Sequence, residues 1–450
     1  MTFSAMFGRS WAARRRTVSL SAWLLVAFTL GPGWITNAAD AAGSEERQAD
    51  GRPIELVETR PIESSLGNPA LRPTREVWSE MIGRARRSLD LEEFYLSDWP
   101  HEALSGILRV LGEAARRGVR VCLLLDAGMY RNYPMPADSH GRVAGITVRR
   151  IDFRRIAGGI QHSKYFVVDG EEAFLGSQNL DWRSLEHIHE LGVRVRDPRL
   201  ARALDGIFEM DWAASDTLAA EPARASAIRD AASRVRAAVS TRPLLLVQAA
   251  GDTVSCLPSW SPPRQSPDST LWDRDVLVRL LDSARKEIVL QTLTYSPESR
   301  EGNDPALDDA LRRAAGRGVD VRMIISDWES SRSMDALKAL ARVTGIQVRL
   351  STVPEWSGGY IPYARVEHLK YAVVDTSAAW IGTSNWDPSY FHNSRNVALT
   401  FWNRPLAAQA RAVFSADWNA PGSHAVKPDS TYVSKAHGME APDGRKVYGR

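Results

Sequence analysis

The sequence predicts an α/β protein built as two similar halves. Three observations lead there. Helix-like and strand-like stretches alternate along the chain: 75–87 reads as a helix, 89–95 as a strand, 102–117 as a helix closed by Gly118, and 119–125 as a largely apolar strand. The second half repeats that order over 275–286, 288–294, 307–316 and 319–325. Landmarks also recur at long period. Ala114-Ala115-Arg116-Arg117-Gly118-Val119-Arg120-Val121 returns as Ala314-Ala315-Gly316-Arg317-Gly318-Val319-Asp320-Val321, and the Phe208 to Trp212 stretch returns as Phe414 to Trp418. Strands made of consecutive apolar residues, alternating with helices, indicate a mostly buried sheet between helical layers.

The chain has 450 residues, 44% hydrophobic and 25% charged, which excludes a disordered or polytopic membrane protein. Of 57 basic and 54 acidic residues, 1–41 hold Arg9, Arg14, Arg15 and Arg16 against Asp40, so the remainder balances at 53 of each. A balanced body excludes a positive coat for wrapping duplex DNA but not a local basic pocket. Two cysteines, Cys122 and Cys256, are too few for a disulfide framework or a four-thiolate zinc site. Cys122 falls in an apolar strand and reads as a packed thiol; Cys256 falls in a proline-containing stretch, 255–269, that reads as loop.

Segment boundaries can be drawn along the chain. A basic n-region, an apolar run over 18–30 and Ala39-Asp40-Ala41 read as a secretory signal peptide, 1–41, or alternatively a signal anchor. Either places the body outside the cytoplasm, periplasmic or secreted. Residues 42–64 read as a linker, 65–212 as the first domain, 213–245 as a helical connector, 246–420 as the second domain and 421–450 as a polar, disordered tail.

The strongest repeat is chemical. His162, Lys164, Asp169, Gly176, Ser177 and Asn179 recur at the same internal spacing as His368, Lys370, Asp375, Gly382, Thr383 and Asn385. Histidine and lysine two apart share one face of a strand. A hairpin turning between Gly170 and Glu171 predicts that His162 faces Asn179 and Lys164 faces Ser177, with His368–Asn385 and Lys370–Thr383 in the second copy. Imidazole, ammonium, hydroxyl and amide on one face can hold and attack a phosphate. Asp169 and Asp375 have the wrong parity for that face and read as structural.

The double His-x-Lys-x4-Asp-x6-Gly-[Ser/Thr]-x-Asn motif resembles the phospholipase D superfamily, over about residues 65–420. Asp181-Trp182-Arg183-Ser184-Leu185 before Glu190-Leu191-Gly192, Asp308 to Ala315, Ile324 to Trp328, Tyr363 to Val366, and Ile381 to Trp386 with Tyr390-Phe391 are similar to the animal phospholipase D3/D4-type 5′ exonucleases and their poxviral relatives. The resemblance implies two phospholipase D-like lobes, each an α-β-α sandwich, packed about a pseudo-twofold axis with one shared active site.

It also implies a metal-independent phosphodiesterase working through a phosphohistidine, with no cofactor. Lys164, Lys370, Asn179 and Asn385 would supply the charge that metals supply elsewhere. Eleven residues after Asn179 stands Glu190; eleven after Asn385 stands Asn396. In the family the first-copy position often orients the histidine, so Glu190 is expected on His162, with His162 the nucleophile and His368 the general acid and base. Ser177 and Thr383 are expected at the substrate, and Trp386, Tyr390 and Phe391 to stack an unpaired base. His187 and His189 read as a solvated loop or edge; His392 could reach the cleft or only pack. The expected substrate is single-stranded nucleic acid cut from the 5′ end, with a phospholipid the alternative, and a non-enzymatic binding protein is disfavoured because both copies are intact. The oligomeric state stays open, since one chain carries both half-sites.

Overall fold

A computed structural model describes residues 52–448 apart from 217, 250, 300–301, 329–330, 434–437, 439–440 and 442–446. The expected leader, 1–41, and the first ten residues of the expected linker, 42–51, lie outside the described residues. Two mixed sheets organise the rest. In the first, Ser88–Glu93, Arg120–Asp126 and Ile146–Ile151 run parallel. Tyr165–Val168, Glu172–Gly176 and Glu190–Val195 continue it antiparallel. The second sheet repeats this with Glu287–Thr292, Asp320–Ser326 and Ile346–Ser351 parallel, and Lys370–Val374, Ala378–Gly382 and Asn396–Trp402 antiparallel.

Parallel neighbours need a crossover, and an amphipathic helix supplies it. In Ala103–Arg116 the buried residues Leu104, Ile107, Leu108 and Leu111 recur at helical spacing and cover the outer face of the first sheet, with Trp78. The helix ends where Gly118 takes φ +93°; its amide donates to the Ala115 carbonyl at 2.9 Å and Val119 donates to Ala114 at 3.1 Å. Gly318 closes the matching helix the same way, with φ +85° and bonds of 2.9 and 3.1 Å.

The inner faces of both sheets share one core. Leu175, Leu191 and Val193 of the first lobe join Tyr371, Ile381 and Leu399 of the second, sealed by Ile207 and Phe208 from the helix Pro198–Ser215 and by Val413 and Phe414 from Arg404–Trp418. Each sheet is thus a middle layer between helices, and the two lobes are one hydrophobic body.

Three expectations are corrected. Part of the supposed linker is the strand Ile54–Thr59, paired along Glu190–Val195. Alternation in Ile54, Leu56 and Glu58 was too short to outweigh its polar flanks. The supposed loop at 255 belongs to the ten-residue strand Asp252–Ser261. Its Pro258 lies past Cys256, where the neighbouring strand's pairing stops, so its missing N–H leaves no ladder bond unmade. Cys122 and Cys256 are both buried free thiols. The tail is not wholly irregular: Ser423–Ala425 pairs with Ile346–Ser351 at the sheet edge, and Tyr448 docks against Trp182 and Trp356.

The two helix-ending glycines give a clean stability test. An added Cβ would meet nothing within 4 Å at either position, so only the left-handed backbone opposes it. Gly118→Ala and Gly318→Ala should each destabilise the protein by about 1–2 kcal/mol in urea unfolding, leaving the fold unchanged.

Candidate active site

Each motif begins at a tight turn. Asp169 and Gly170 take φ +57° and +65°; Asp375 and Thr376 take +53° and +50°. The Asp169 carboxylate accepts backbone N–H bonds from Arg86, Arg87 and Ser88 at 3.0, 2.6 and 2.9 Å. Asp375 accepts from Arg285, Lys286 and Glu287 at 2.9, 2.7 and 3.1 Å. Burial works against the charge on Asp169, yet the amides of Ser88, Arg87 and Arg86 hold its carboxyl below the usual range. Both aspartates fasten the hairpin to the start of the neighbouring strand.

The register differs by one from expectation. Val168 faces Glu172 and Tyr165 faces Leu175, so Lys164 lies opposite Gly176, whose amide donates to the Lys164 carbonyl at 3.2 Å. The turn closes between Val168 and Glu171 but the ladder resumes at Glu172, which leaves one extra residue in the turn. The pairings His162–Asn179 and Lys164–Ser177 therefore do not form, nor their counterparts, since Tyr371 faces Ile381.

The lobes trade backbone at the site. His162 donates its N–H to the Arg395 carbonyl and Arg395 donates to Ile160, each at 2.9 Å. Symmetrically, His368 donates to His189 at 2.9 Å and His189 to Val366 at 3.0 Å. These crossings carry the residue after each bridge against the other lobe's histidine. His162 Nδ1 lies 3.0 Å from Asn396 Oδ1, and His368 Nδ1 lies 2.8 Å from Glu190 Oε2. This corrects the expected Glu190–His162 pairing. No local pattern reveals the exchange, although the matched eleven-residue offset marked both partners.

Lys164 and Lys370 are buried and donate to the carbonyls of His162 and His368 at 2.7 and 2.6 Å. Burial pushes Lys370 down to about 7, with Glu190 opposing the shift. Burial, then Lys370, lowers Lys164 as well. Burial together with both lysines pushes the two imidazoles far below their ordinary value, and burial raises Glu190 to about 8. The pocket is starved of negative charge. Asn179 and Asn385 each keep a buried amide oxygen with no protein partner.

Ser177 and Thr383 are fully buried, and both hydroxyls are engaged within the sheet. Leu191 donates to Ser177 Oγ at 3.0 Å, and Thr383 Oγ1 donates to Asn396 Oδ1 at 2.9 Å. Trp386 and Phe391 are 1% exposed and belong to the second lobe's core, so neither can stack a base; Tyr390 is half-buried with its ring 4.8 Å from that of His162. His392 pairs with Asp304 at 2.5 Å and packs on Trp272.

His187 and His189 are not solvated. His187 is buried against Trp182 and Trp356, and burial then Arg365 lower it to about 4. His189 sits between the lobes, with Nδ1 2.7 Å from Glu367 and Nε2 2.9 Å from Glu58, and Asp417 at 3.6 Å. His189, Glu367 and Asp417 have the spacing of metal ligands. Both imidazole nitrogens already bridge carboxylates, so the cation of this nest is the imidazolium. Burial opposes its charge, but Asp417 and Glu367 raise His189 well above its ordinary value.

The raised imidazolium makes stability depend on pH. Because the folded-state value of His189 is raised, its contribution to stability is complete below the ordinary histidine range, about 6.5, and is lost as pH climbs through the raised value. Asp417, pushed up to about 8 by burial, works in the same direction. The melting-temperature loss caused by His189→Gln should therefore shrink as pH rises above about 6.5. Parallel profiles for variant and parent would remove the imidazolium from this role.

Comparison with known proteins agrees with this geometry. The family model described as "Cardiolipin synthase, PLD-like domain" matches twice, over residues 79–212 and 277–418. The chain is 34% identical over 406 residues to the 5′-3′ exonuclease PLD3 of Bos taurus, covering 83% of this chain and 79% of that protein. It is 31% identical over 401 residues to phospholipase D Z of Dictyostelium discoideum, covering 84% and 91%. The solved phosphatidylserine synthase of Haemophilus influenzae Rd KW20 superposes with a TM-score of 0.58 at 14% identity, covering 87% of this chain and 92% of that one, which supports the fold. With two matched domains and paired His/Lys/Asn sets meeting between them, the chain belongs to the phospholipase D superfamily and is a phosphodiesterase.

Proposed function

We propose that this phosphodiesterase is a metal-independent exonuclease that shortens single-stranded nucleic acid from the 5′ end through a phosphohistidine on His162. The observation that carries the division of labour is the hydrogen-bond chain at Asn396. Its Nδ2 donates to the Tyr390 carbonyl at 2.8 Å, which turns Oδ1 toward His162. The proton of a neutral His162 then sits on Nδ1, and Nε2 presents its lone pair. A neutral amide partner suits a group that must attack uncharged. His368 instead meets Glu190, an acid–base partner that can share a proton with it, which suits the group that passes a proton to the leaving oxygen.

In the first step His162 Nε2 forms the P–N bond while the P–O bond to the leaving oxygen breaks, and His368 gives that oxygen its proton. In the second, His368 takes a proton from water, the water oxygen bonds to phosphorus, and the P–N bond breaks. Lys164, Lys370, Asn179 and Asn385 hold the non-bridging oxygens. Their buried, lowered ammonium groups recover charge when an anionic diester enters, so the substrate primes its own binding site.

Nucleic acid is favoured because relatives sharing most of this chain are named 5′-3′ exonucleases. Phospholipid is the second reading, since another relative is named a phospholipase D. The deciding experiment incubates the enzyme with EDTA and a panel of single-stranded DNA, RNA, duplex DNA, phosphatidylcholine and cardiolipin. Single strands with a free 5′ hydroxyl should shorten stepwise despite chelation. Duplex should resist, because reaching its end requires unstacking at a few kcal/mol. Lipid turnover without nuclease activity would promote the second reading, and a strict metal requirement would end the mechanism.

Roles separate with a p-nitrophenyl phosphodiester, whose leaving group needs little protonation. His162→Ala should show no nitrophenol burst. His368→Ala should release one equivalent and stall. Each should lower turnover of an ordinary diester on the order of 10³-fold. Glu190→Gln, acting on His368, should keep the burst and slow the hydrolysis of the phosphohistidine, whereas Asn396→Ala should weaken the burst itself. A burst in His162→Ala alone would exchange the two histidines.

A further inference from the structure

Two of the three residues expected to stack a base, Trp386 and Phe391, are in the core, yet another set of rings leads out of the cleft. Phe94 directly follows the strand Ser88–Glu93, and its ring centroid lies 4.9 Å from that of His162, with the Lys164 ammonium 5.0 Å from its face. Tyr95 meets Phe94 edge-on at 5.6 Å, and Tyr133 stacks on Tyr95 at 5.4 Å with planes 28° apart. Phe94 and Tyr133 are half-buried and keep surface to offer, and Tyr95 bridges them.

The ladder is held rigid. Tyr95 Oη donates to Asp181 Oδ2 at 2.8 Å, and the fully buried Asp181 is anchored by Arg183 Nε at 2.9 Å. Tyr133 comes from a different segment, just before the short helix Pro134–His140, and sits at the outer end. Arg131 is two residues away, and the Arg150 guanidinium lies 4.6 Å over Tyr130, which is close by in sequence. The equivalent positions of the second lobe carry no such rings; its own stacked pair, Trp328 and Tyr363, comes from other segments. The residues after Glu287–Thr292 are Leu293 and Thr294, and the next ring, Tyr295, is 1% exposed with its hydroxyl on Asp308.

We propose that Phe94, Tyr95 and Tyr133 form a one-sided stacking platform for an unpaired nucleobase of the substrate strand, with Tyr133 as its outer contact. This rests on the nucleic-acid reading above. A planar base can stack on the exposed part of Tyr133, while flanking arginine charge suits the phosphate next in the strand. Because the platform exists in one lobe only, it gives a pseudo-symmetric cleft a direction along which to lay a strand.

The test compares a 5′-hydroxyl thymidine trinucleotide with three analogues, each abasic at one position. In the parent enzyme, removing one particular base should lower kcat/KM about tenfold. In Tyr133→Leu that preference should collapse to about twofold or less, and Tyr133→Phe, which keeps the ring, should restore it. An unchanged preference in Tyr133→Leu, or no preference in the parent, would overturn the platform while leaving the nuclease intact. Hydrolysis of phosphatidylcholine with no cleavage of any trinucleotide would overturn the platform together with the nucleic-acid reading.

Discussion

The site depends on an exchange of backbone between the lobes. Ile160 and His162 pair with Arg395, and Val366 and His368 pair with His189, so each motif histidine pairs with the residue that leads into a central strand of the other lobe's sheet. The consequence is geometric. Each imidazole takes its orienting partner from across the axis, and neither lobe holds a complete half-site. A hydrogen bond is worth only about 1 kcal/mol net, but these sit in a buried interface whose apolar residues belong to both lobes, where an unmade bond would leave a desolvated group behind. Docking of the lobes and placement of the two histidines are therefore the same event.

Beneath each crossing lies a buried ionic anchor. Arg395 grips Asp211 with two bonds, at 2.6 and 2.8 Å, and also donates to the Ser261 and Gln265 carbonyls. At the symmetric place His189 meets Glu58, Glu367 and Asp417. Removing one member of such a set would strand a buried charge, so these anchors specify the arrangement more than they add net stability. The polar layer continues outward with exchanged chemistry. Gln161 donates to Glu92 in one lobe, and Gln291 donates to Glu367 in the other.

Much of the fold was legible because the pattern that specifies it is local. Apolar runs, helix-ending glycines and the repeated spacing placed the elements flanking Gly118 and Gly318 to within a few residues. The spacing also brought both His/Lys pairs and the two aspartates to notice. What stayed hidden was long-range or depended on a turn. The register slipped because Asp169 and Gly170 both adopt left-handed φ and keep an extra residue out of the ladder. Glu190 was matched to the wrong histidine because sequence distance favours His162, while the lobe crossing delivers it to His368. His189 looked solvated because its neighbours are polar. Its partners come from residues 58, 367 and 417, which no window around 189 contains.

The departures from symmetry are where the chemistry lies. A perfectly duplicated site would give both histidines the same partner, and neither would be predisposed to attack or to carry a proton. Here one position differs by a single exchange of an amide for a carboxylate, Asn396 against Glu190, and the scaffold around both is kept. The amide and the carboxyl each fix their ring through Nδ1, so the exchange gives the two imidazoles chemically different partners with almost no change of structure. The flanking rings show the same pattern, where Phe94 and Tyr95 stand opposite Leu293 and Thr294. Duplication supplies two His/Lys/Asn halves that a single buried interface locks together, and a few unmatched side chains make the halves unequal.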